Sequence, residues 1–384
     1  MVKTSSFSNL ESHYETTYYL YVKDNIDSLD QLHNTKIGYY KNTPNIDNAL
    51  DYLDFYYESV EYSNLSDVIK AFDKNEIVAF IVEKTMYEMH KESTNDGKIN
   101  LDNYKKLEEF KVSIKSDLET NSTADDIYNI YVGGLDFTET NTDFNMIITV
   151  NRNTHKILLT SIPRDYYVDI YGKDGKDLLG YAGIWSLGTS VKTVENLFGI
   201  DIDYYLRIHT TNLVDLVDAL GGVEFCSNYG FTTTHALILG SYDDRYDEHL
   251  YVRSGCYEYS GIEILTIARE RLQVGGDRVR QKNCQDIIIN IFKKMVSSNT
   301  FTHYDSILKK LGNTYTTNIS RKVVEAVIRD TIDNPSAWTF EKQSVDGESA
   351  MDYVHFSDYY DHVMYPDMDT VTEATNRIKE VMGK

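Results

Sequence analysis

The sequence predicts an α/β fold in which a central mixed sheet is flanked by helices and preceded by a smaller α/β unit. An apolar run at Lys156–Ile162 is typical of a buried strand, and Pro163 ends it because proline cannot donate to a sheet ladder. Further strand patterns alternate with amphipathic helical patterns on both sides of a polar segment at 115–126. The length of 384 residues suits two domains. We therefore expect an accessory domain with its linker over 1–122 and a larger domain over 123–384.

The accessory domain is predicted from short strands and helices that alternate over about 18–115. The run at 77–82 is continuously apolar, as expected for a parallel strand that is covered on both faces. Residues 1–17 are polar, and we expect them to be mobile. Glycine-rich phosphate-binding patterns are absent from this part of the sequence, so no chemistry is assigned to it. The other predicted elements are strands at 18–22 and 36–40 and helices at about 45–55 and 66–72.

The larger domain is predicted to open with three neighbouring strands, because only short loops separate them. They lie at 127–132, 145–150 and 156–162, and a Gly133-Gly134 turn follows the first. A long helix over 279–295 places Arg280, Cys284 and Ile291 on one face. Thr370 is predicted to cap the last helix. The remaining predicted elements are a strand at 204–208 and helices at 190–198, 212–220, 262–268 and 321–329.

Composition and charge exclude several classes of protein. The chain carries 60 acidic and 38 basic residues, a net charge of −22, which argues against nucleic acid as its main partner. A helix-turn-helix pattern and a basic face are also absent from the sequence. Hydrophobic content of 41% and charged content of 26% are typical of globular domains. No run of 18 apolar residues predicts a membrane span, and the first residues do not resemble a signal peptide.

Three cysteines allow one disulfide. Cys226 follows a predicted strand, Cys256 precedes the helix at 262–268, and Cys284 lies within the long helix. Two loop cysteines and one helical cysteine favour a Cys226–Cys256 bond in an oxidising compartment, with Cys284 free. The alternative is three unpaired thiols.

A cluster of arginines and carboxylates carries the chemical signal. Arg164 and Asp165 follow the strand that ends at Pro163, where functional side chains of α/β folds commonly lie. In an extended segment, Arg269 and Arg271 would point to the same side, with Glu270 on the other. Arginine forks bind phosphate oxygens in pairs, and carboxylates such as Asp136 and Asp143 suit Mg²⁺. These residues together predict a site for a phosphate ester and its metal ion.

Each member of this set also has a purely structural interpretation. Asp136 follows Gly133-Gly134 and suits a turn. Asp165 could serve only to orient Arg164 through a salt bridge, and Arg278 could face solvent. Asp277 suits the cap of the long helix. The prediction therefore depends on the whole constellation rather than on any one residue.

Five blocks in a fixed order resemble the LytR-CpsA-Psr family of cell-envelope phosphotransferases. Their order is more specific than any one block. The resemblance is specific over about 126–300 and thinner over 300–380. The blocks are Gly133-Gly134-Leu135-Asp136, Asn141-Thr142-Asp143, Ser161-Ile162-Pro163-Arg164-Asp165, Asp218-Ala219-Leu220-Gly221-Gly222-Val223-Glu224, and Ala268-Arg269-Glu270-Arg271 followed by Gly276-Asp277-Arg278-Val279-Arg280.

The resemblance implies a fold of the family's type, a reaction and a set of site residues. The reaction is transfer of an anionic glycopolymer, of teichoic acid or capsular polysaccharide type, from a polyprenyl-pyrophosphate carrier to peptidoglycan, with Mg²⁺. It implies a place at the extracellular face of the membrane or in the cell wall, with an N-terminal membrane anchor that this chain lacks. The implied catalytic residues are Arg164, Asp165, Arg269 and Arg271, and the implied metal ligands are Asp136 and Asp143. The implied substrate-binding residues are Arg278, Arg280, Gln281, Cys284 and Gln285, with Trp185, Val191 and Val194 as candidates for the prenyl chain or for plain core packing.

The sequence departs from the family pattern at three places. Asn141 stands where the family usually has an arginine, which removes one phosphate clamp. Cys284 stands where the family commonly has glutamine, with Gln285 beside it, and a thiol hydrogen-bonds more weakly than an amide. The loop between Arg271 and Arg280 also aligns about one residue shorter. These departures keep a second hypothesis open, a non-catalytic polyprenyl-phosphate or glycan binding protein of the cell envelope.

Overall fold

The computed structural model is a mixed α/β protein. It describes residues 13–92, 99–115, 118, 126–135, 141–236, 249–271, 276–295, 315–334 and 338–384. The predicted boundary between 122 and 123, the predicted metal ligand Asp136 and residues 272–275 of the loop after Arg271 lie outside the described residues. None of the helices within the described ranges is long and apolar enough to cross a membrane.

The part of the chain predicted to be an accessory domain, and called so below, contains a five-stranded mixed sheet in the order β3-β2-β4-β1-β5. Strand β2 is parallel to β3 and β4, whereas β1 is antiparallel to β4 and β5. Every position of β4 is buried, as the apolar run predicted, although the strand begins two residues later. The prediction that 13–17 is mobile is wrong, because β1 begins at His13 and pairs with β5 along its length. The elements are β1 (His13–Val22), β2 (Lys36–Tyr40), α1 (Ile46–Tyr52), β3 (Glu58–Tyr62), α2 (Leu65–Asp73), β4 (Ala79–Glu83), α3 (Lys84–Glu92) and β5 (Lys105–Lys115).

The larger domain is built on a six-stranded mixed sheet in the order β16-β11-β6-β7-β8-β17. The three strands predicted to be neighbours are adjacent and antiparallel, and two outer pairs, β11 with β6 and β8 with β17, are parallel. The fold class predicted from the sequence is confirmed. The strands of this sheet are β6 (Ile127–Leu135), β7 (Thr142–Asn151), β8 (Lys156–Ile162), β11 (Tyr204–His209), β16 (Tyr315–Thr317) and β17 (Thr339–Ser344).

Helices cover both faces of this sheet. Ile147 and Leu158 pack on one face in a core cluster with residues of α5 and α10. Met146 and Leu159 are the next residues along each strand, so they point to the other face, towards α8 and α9. The helices are α4 (Ala182–Trp185), α5 (Leu187–Phe198), α6 (Thr210–Ala219), α7 (Gly261–Arg269), α8 (Asp277–Met295), α9 (Arg321–Asp333) and α10 (Met368–Met382).

Within the described ranges, four two-stranded sheets extend from this framework. The sheet formed by β12 and β15 carries the predicted disulfide, because Cys226 and Cys256 are directly paired across the strands. Cys284 is free and buried, so the cysteine prediction is confirmed. The pairs are β9 (Tyr167–Asp169) with β10 (Lys176–Leu178), β12 (Val223–Ser227) with β15 (Gly255–Tyr259), β13 (Phe231–Ala236) with β14 (His249–Val252), and β18 (Gly347–Val354) with β19 (Tyr359–Pro366).

Three local predictions are wrong. Gly133 and Gly134 lie inside β6 rather than in a turn, and a side chain added at Gly134 would come within 3.0 Å of Phe144 Cβ on the neighbouring strand. The strand predicted at 145–150 begins earlier, at Thr142, so Asp143 lies inside β7 and not in the loop before it. The last helix begins at Met368, because the side chain of Asp367 accepts a hydrogen bond from the Asp369 N–H and caps it before Thr370.

The turn at 355–358, which joins β18 to β19, lies between the accessory and larger domains, and we call it the hairpin tip. From the accessory domain, the Tyr40 hydroxyl donates to the carbonyl of His355, and the backbone N–H of Leu65 donates to Asp358 at 2.7 Å. From the larger domain, the Asp177 carboxylate accepts from the Phe356 N–H at 2.8 Å. The Phe356 ring packs 5.5 Å from the rings of both Tyr181 and Trp185. The hairpin tip therefore joins the two domains through hydrogen bonds and a shared aromatic core.

Replacing Asp177 by asparagine is expected to remove the loss of stability that this carboxyl group causes as pH rises to about 7. Burial raises the pKa of Asp177 to about 7, although hydrogen bonds from the Leu178 and Phe356 N–H groups act in the opposite direction. A raised carboxyl pKa means that this group's contribution to stability is full below its unfolded pKa and is lost as pH rises to about 7. Asparagine has one acceptor oxygen for the two N–H donors, so a constant loss is expected at every pH. Measured against the unmodified protein, the melting temperature of Asp177→Asn should be lowest near pH 4, rise up to about pH 7 and stay level above it. An equal shift at every pH would contradict this expectation.

Candidate active site

The centre of the site is an ion pair between neighbouring strands. The register of β7 and β8 pairs Asn145 with Ile162, so continuing it places Asp143 opposite Arg164. The Arg164 guanidinium donates from Nη1 to the Asp143 carboxylate and from Nε to Asp165 Oδ1 at 3.1 Å. The side chains of Arg164 and Asp143 are 26% and 24% exposed, so the pair remains open to a ligand. Ending β8 at Pro163 therefore delivers Arg164 to the centre of the site, as predicted.

The first turn of α8 supplies the second part of the site. Asp277 accepts from Arg280 Nε at 2.8 Å and from Gln281 Nε2 at 2.7 Å, and it lies 3.8 Å from Arg271 Nε. Arg280 also donates from Nη1 to the backbone carbonyl of Asp143 at 3.2 Å. Asp277 is thus more than the helix cap that the sequence suggested. Its spacing of three residues from Arg280 on a helix was the signal that could have predicted this contact.

Three arginines act on the carboxyl group of Asp143. Burial alone would raise the pKa of Asp143, but the positive charges of Arg164, Arg271 and Arg280 outweigh it and hold that pKa below its ordinary value. The pKa of Arg271 is lowered by burial and by the positive charges of Arg164 and Arg280, against the attraction of Asp143 and Asp277. A guanidinium at this position stays charged, so these arginines repel one another. An anion bound among them would relieve that repulsion.

Two residues beside Arg164 were not predicted from the sequence. The Gly180 N–H donates to the Arg164 carbonyl at 2.8 Å, and a side chain at Gly180 would come within 3.3 Å of that carbonyl and within 3.1 Å of the Thr142 carbonyl. Glycine therefore permits the close approach of the two chain segments. Tyr181 is buried, and burial raises the pKa of its hydroxyl well above the ordinary value, although the nearby Arg164 acts in the opposite direction. The sequence signal was only a Gly-Tyr-Ala-Gly run at 180–183, which is too common to assign a role.

The Arg269-Glu270-Arg271 segment is not uniformly extended. Arg269 is the last residue of α7, and only from Glu270 onward does the backbone leave the helix, with φ −64° and ψ 122°. The prediction that Arg269 and Arg271 alternate to one side of an extended strand is therefore wrong. Arg271 Nε lies 3.8 Å from Asp277, which joins this segment to the cluster.

Other predicted site residues occupy different surroundings. The Arg278 side chain is 75% exposed and pairs with Asp346 at the surface. Cys284 shares the buried face of Arg280 and contacts the Ala268 carbonyl at 3.5 Å, and burial raises the pKa of its thiol to about 11. Gln285 points into the protein instead, where its amide donates to Ser161 Oγ at 3.0 Å and to the Gln343 carbonyl at 2.7 Å.

Comparison with known proteins identifies the family. The model of the LytR_cpsA_psr family matches residues 78–377, most of the chain. The protein belongs to the LytR-CpsA-Psr family. The sequence resemblance is thereby confirmed, and the match begins just before β4 of the accessory domain.

Relatives of the LytR-CpsA-Psr protein include named transferases. It is 30% identical over 178 residues to a polyisoprenyl-teichoic acid–peptidoglycan teichoic acid transferase TagU of Bacillus anthracis, covering 46% of this chain and 54% of the relative. A TagU of Enterococcus faecalis is 31% identical over 180 residues, covering 46% of this chain and 55% of the relative. The chain thus spans about half the length of these curated relatives.

Solved structures share the fold. B. subtilis TagV aligns with a TM-score of 0.55 at 21% identity, covering 68% of this chain and 99% of TagV. TagT bound to LIIa-WTA aligns with a TM-score of 0.54 at 22% identity, covering 70% of this chain and 95% of TagT. At this level of identity the likeness concerns the fold alone.

The three apolar candidates of the LytR-CpsA-Psr protein lie in its main core cluster. Val194 is fully buried, and Trp185 and Val191 are nearly so. Trp185 packs on Phe356 of the hairpin tip, and its carbonyl accepts from the Asn45 side chain of the accessory domain at 3.3 Å. Gly180, a few residues before Trp185, connects this region to Arg164 through its backbone hydrogen bond. Their part in holding a prenyl chain stays a prediction.

Oxygen donors near the start of β7 fit a hard cation such as Mg²⁺. Asp143 offers a carboxylate, and Asn141 Oδ1 is buried without a hydrogen-bond partner among the described residues. Oxygen ligands of this kind are those that Mg²⁺ prefers. Asp136, the other predicted ligand, lies outside the described residues. Asp143 and Asn141 thus offer two oxygen donors of the right kind, and Mg²⁺ at this place stays a prediction.

Proposed function

We propose that this protein is a Mg²⁺-dependent phosphotransferase that attaches an anionic glycopolymer of teichoic acid or capsular polysaccharide type to peptidoglycan. The donor would be a polyprenyl-pyrophosphate-linked polymer, and the place of action the outer face of the cell membrane or the cell wall. One observation carries the proposal, the convergence of Arg164, Arg271 and Arg280 around Asp143. Three arginine forks close to one another suit a pyrophosphate, because each can bind its oxygens in pairs.

The chain's own residues can bind and orient the reacting phosphates. A peptidoglycan hydroxyl would form a bond to the phosphorus that bears the polymer, and the bond from that phosphorus to the bridging oxygen would break. The electron pair would leave with polyprenyl phosphate, and the hydroxyl proton would pass to solvent. Arginine forks aimed at the pyrophosphate would stabilise the charge that develops on the leaving phosphate. Asp277 and Asp165 would hold Arg280 and Arg164 in place.

Magnesium is part of the proposal. Asp143, with Asp136 as predicted from the sequence, would hold the ion, with Asn141 Oδ1 as a further oxygen donor. When bound, Mg²⁺ would supply charge neutralisation at the leaving phosphate. The named activity of the TagU relatives and the disulfide, which suits an oxidising compartment, both support the proposed function and location.

Incubating the protein with a lipid-linked polymer, peptidoglycan fragments and Mg²⁺ is expected to give fragments whose mass increases by one phosphopolymer unit. The same reaction in EDTA is expected to fall to background, and added Mg²⁺ should restore it. Mass spectrometry of the fragments measures both. A mass shift that is unchanged in EDTA would contradict the metal requirement and leave the transferase proposal standing.

The alternative is a binding protein of the envelope without transfer. Two observations favour it, the thiol of Cys284 on the face of α8 that carries Arg280 and the direction of Gln285 into the core, where it cannot reach the arginines. Binding of the lipid-linked polymer without any mass shift of the fragments, with Mg²⁺ present, would favour this alternative.

A further inference from the structure

Glu270 is a buried carboxylate that the proposed chemistry does not use. Its side chain is fully buried, and in the sequence it stands between Arg269 and Arg271. One carboxylate oxygen accepts from the backbone N–H of Thr234 at 2.6 Å, and the two oxygens lie 3.1 and 3.0 Å from the Thr234 hydroxyl. Thr234 belongs to β13, 36 residues away. Burying a carboxylate is costly unless it is well hydrogen-bonded, so this contact fixes Glu270 in one place.

The position of Glu270 decides where Arg271 points. Helix α7 ends at Arg269, and the backbone becomes extended at Glu270. The N–H of Glu270 still donates to the Ile267 carbonyl at 3.3 Å. The direction of the next residue follows from the φ and ψ of Glu270. With its side chain held by β13, Glu270 has little freedom to rotate.

Arg271 needs such support, because its surroundings do not favour its charge. Burial and the positive charges of Arg164 and Arg280 lower its pKa and outweigh the attraction of Asp143 and Asp277, the second of which lies 3.8 Å from its Nε. Without a ligand, an unrestrained arginine would turn towards solvent. Because the backbone is held at Glu270, the Arg271 guanidinium already points into the cluster. Binding an anion then requires no further loss of conformational entropy at Arg271.

We propose that Glu270 is a positioning residue, which fixes Arg271 in the anion-binding cluster through its contact with Thr234. This inference rests on the proposed function, because it assumes that the cluster binds phosphate. It assigns no direct contact between Glu270 and the substrate. In this proposal the two-stranded sheet of β13 and β14 helps to hold the site in place, because β13 carries Thr234.

Glu270→Ala is expected to weaken binding of inorganic pyrophosphate by about tenfold or more, because a displaced guanidinium loses its paired hydrogen bonds. Glu270→Gln is expected to stay within about threefold, since its amide oxygen can still accept the Thr234 N–H bond. Calorimetry on the full chain measures both. Glu83→Ala is the matched control, because Glu83 is also buried and also accepts from a threonine hydroxyl and a backbone N–H, but in the accessory sheet. It should change stability without changing pyrophosphate affinity.

A double-mutant cycle separates positioning from a general loss of structure. In a protein that already carries Arg271→Ala, adding Glu270→Ala is expected to change pyrophosphate affinity by less than about twofold. An equal loss in both backgrounds would overturn the positioning role. Should Glu270→Ala fail to fold, Thr234→Val removes the hydroxyl donor alone and is expected to weaken binding by about threefold, again only when Arg271 is present. Pyrophosphate that does not bind the unmodified protein would overturn the proposed function and this inference together.

Discussion

Replacing Arg271 by alanine is expected to lower the rate of polymer transfer by about 10²–10³-fold, the range found when one stabilising donor is removed from an active site. Arg271 lies among two other arginines and pairs only distantly with Asp277, so its charge has little structural use without an anion. Removing it also relieves repulsion within the cluster. The melting temperature should therefore be unchanged or higher while transfer falls. Rates of transfer and thermal unfolding, measured on the same preparation, test both parts.

Two further variants test whether the loss of transfer comes from the guanidinium of Arg271. Arg271→Lys keeps the charge but loses the fork, so its transfer rate should lie between those of the alanine variant and the unmodified protein. Arg321→Ala removes an arginine from an exposed pair with Glu325 on α9 and should leave transfer unchanged. Full activity of Arg271→Ala would show that the arginine cluster is not where the phosphates react.

Replacing Asp143 by asparagine is expected to abolish transfer and, in EDTA, to tighten the binding of inorganic pyrophosphate. The carboxylate competes with any bound anion for Arg164, and three arginines hold its pKa low, so it remains charged at working pH. Losing about 1.4 kcal/mol of that competition corresponds to about tenfold in affinity. Transfer falls because the variant lacks the proposed Mg²⁺ ligand. Calorimetry without metal and the transfer assay with metal measure the two opposite effects.

The matched control is Asp330→Asn. Asp330 forms a similar partly buried pair with Arg152, but at the opposite end of β6 and β7 from Asp143. It should change neither pyrophosphate affinity nor transfer. Weaker metal-free binding by Asp143→Asn would contradict the competition, and undiminished transfer would remove Asp143 from the proposed metal site.

The sequence predicted those parts of the site that follow from local rules. Pro163 marked the end of β8, and helical periodicity placed Arg280 and Cys284 on one buried face of α8. The same periodicity could have shown that Gln285, one residue further, points elsewhere. By contrast, the Thr234 contact of Glu270 joins residues far apart in sequence, and no local pattern indicates it. Gly133 and Gly134 were assigned to a turn because their local preference is strong, but pairing with β7 outweighs that preference.

The hairpin tip packs against residues from both sides of the predicted domain boundary. The boundary predicted between 122 and 123 divides the chain, but the packing crosses it, since Tyr19 and Phe80 share one core cluster with Trp185 and Phe356. Cutting the chain there would strip Asp358 of its Leu65 partner and expose apolar surface of the larger domain. Truncation experiments would then measure damage to a shared core rather than the loss of a detachable module. Point changes on the outer strands of the accessory sheet are the way to learn what that domain contributes.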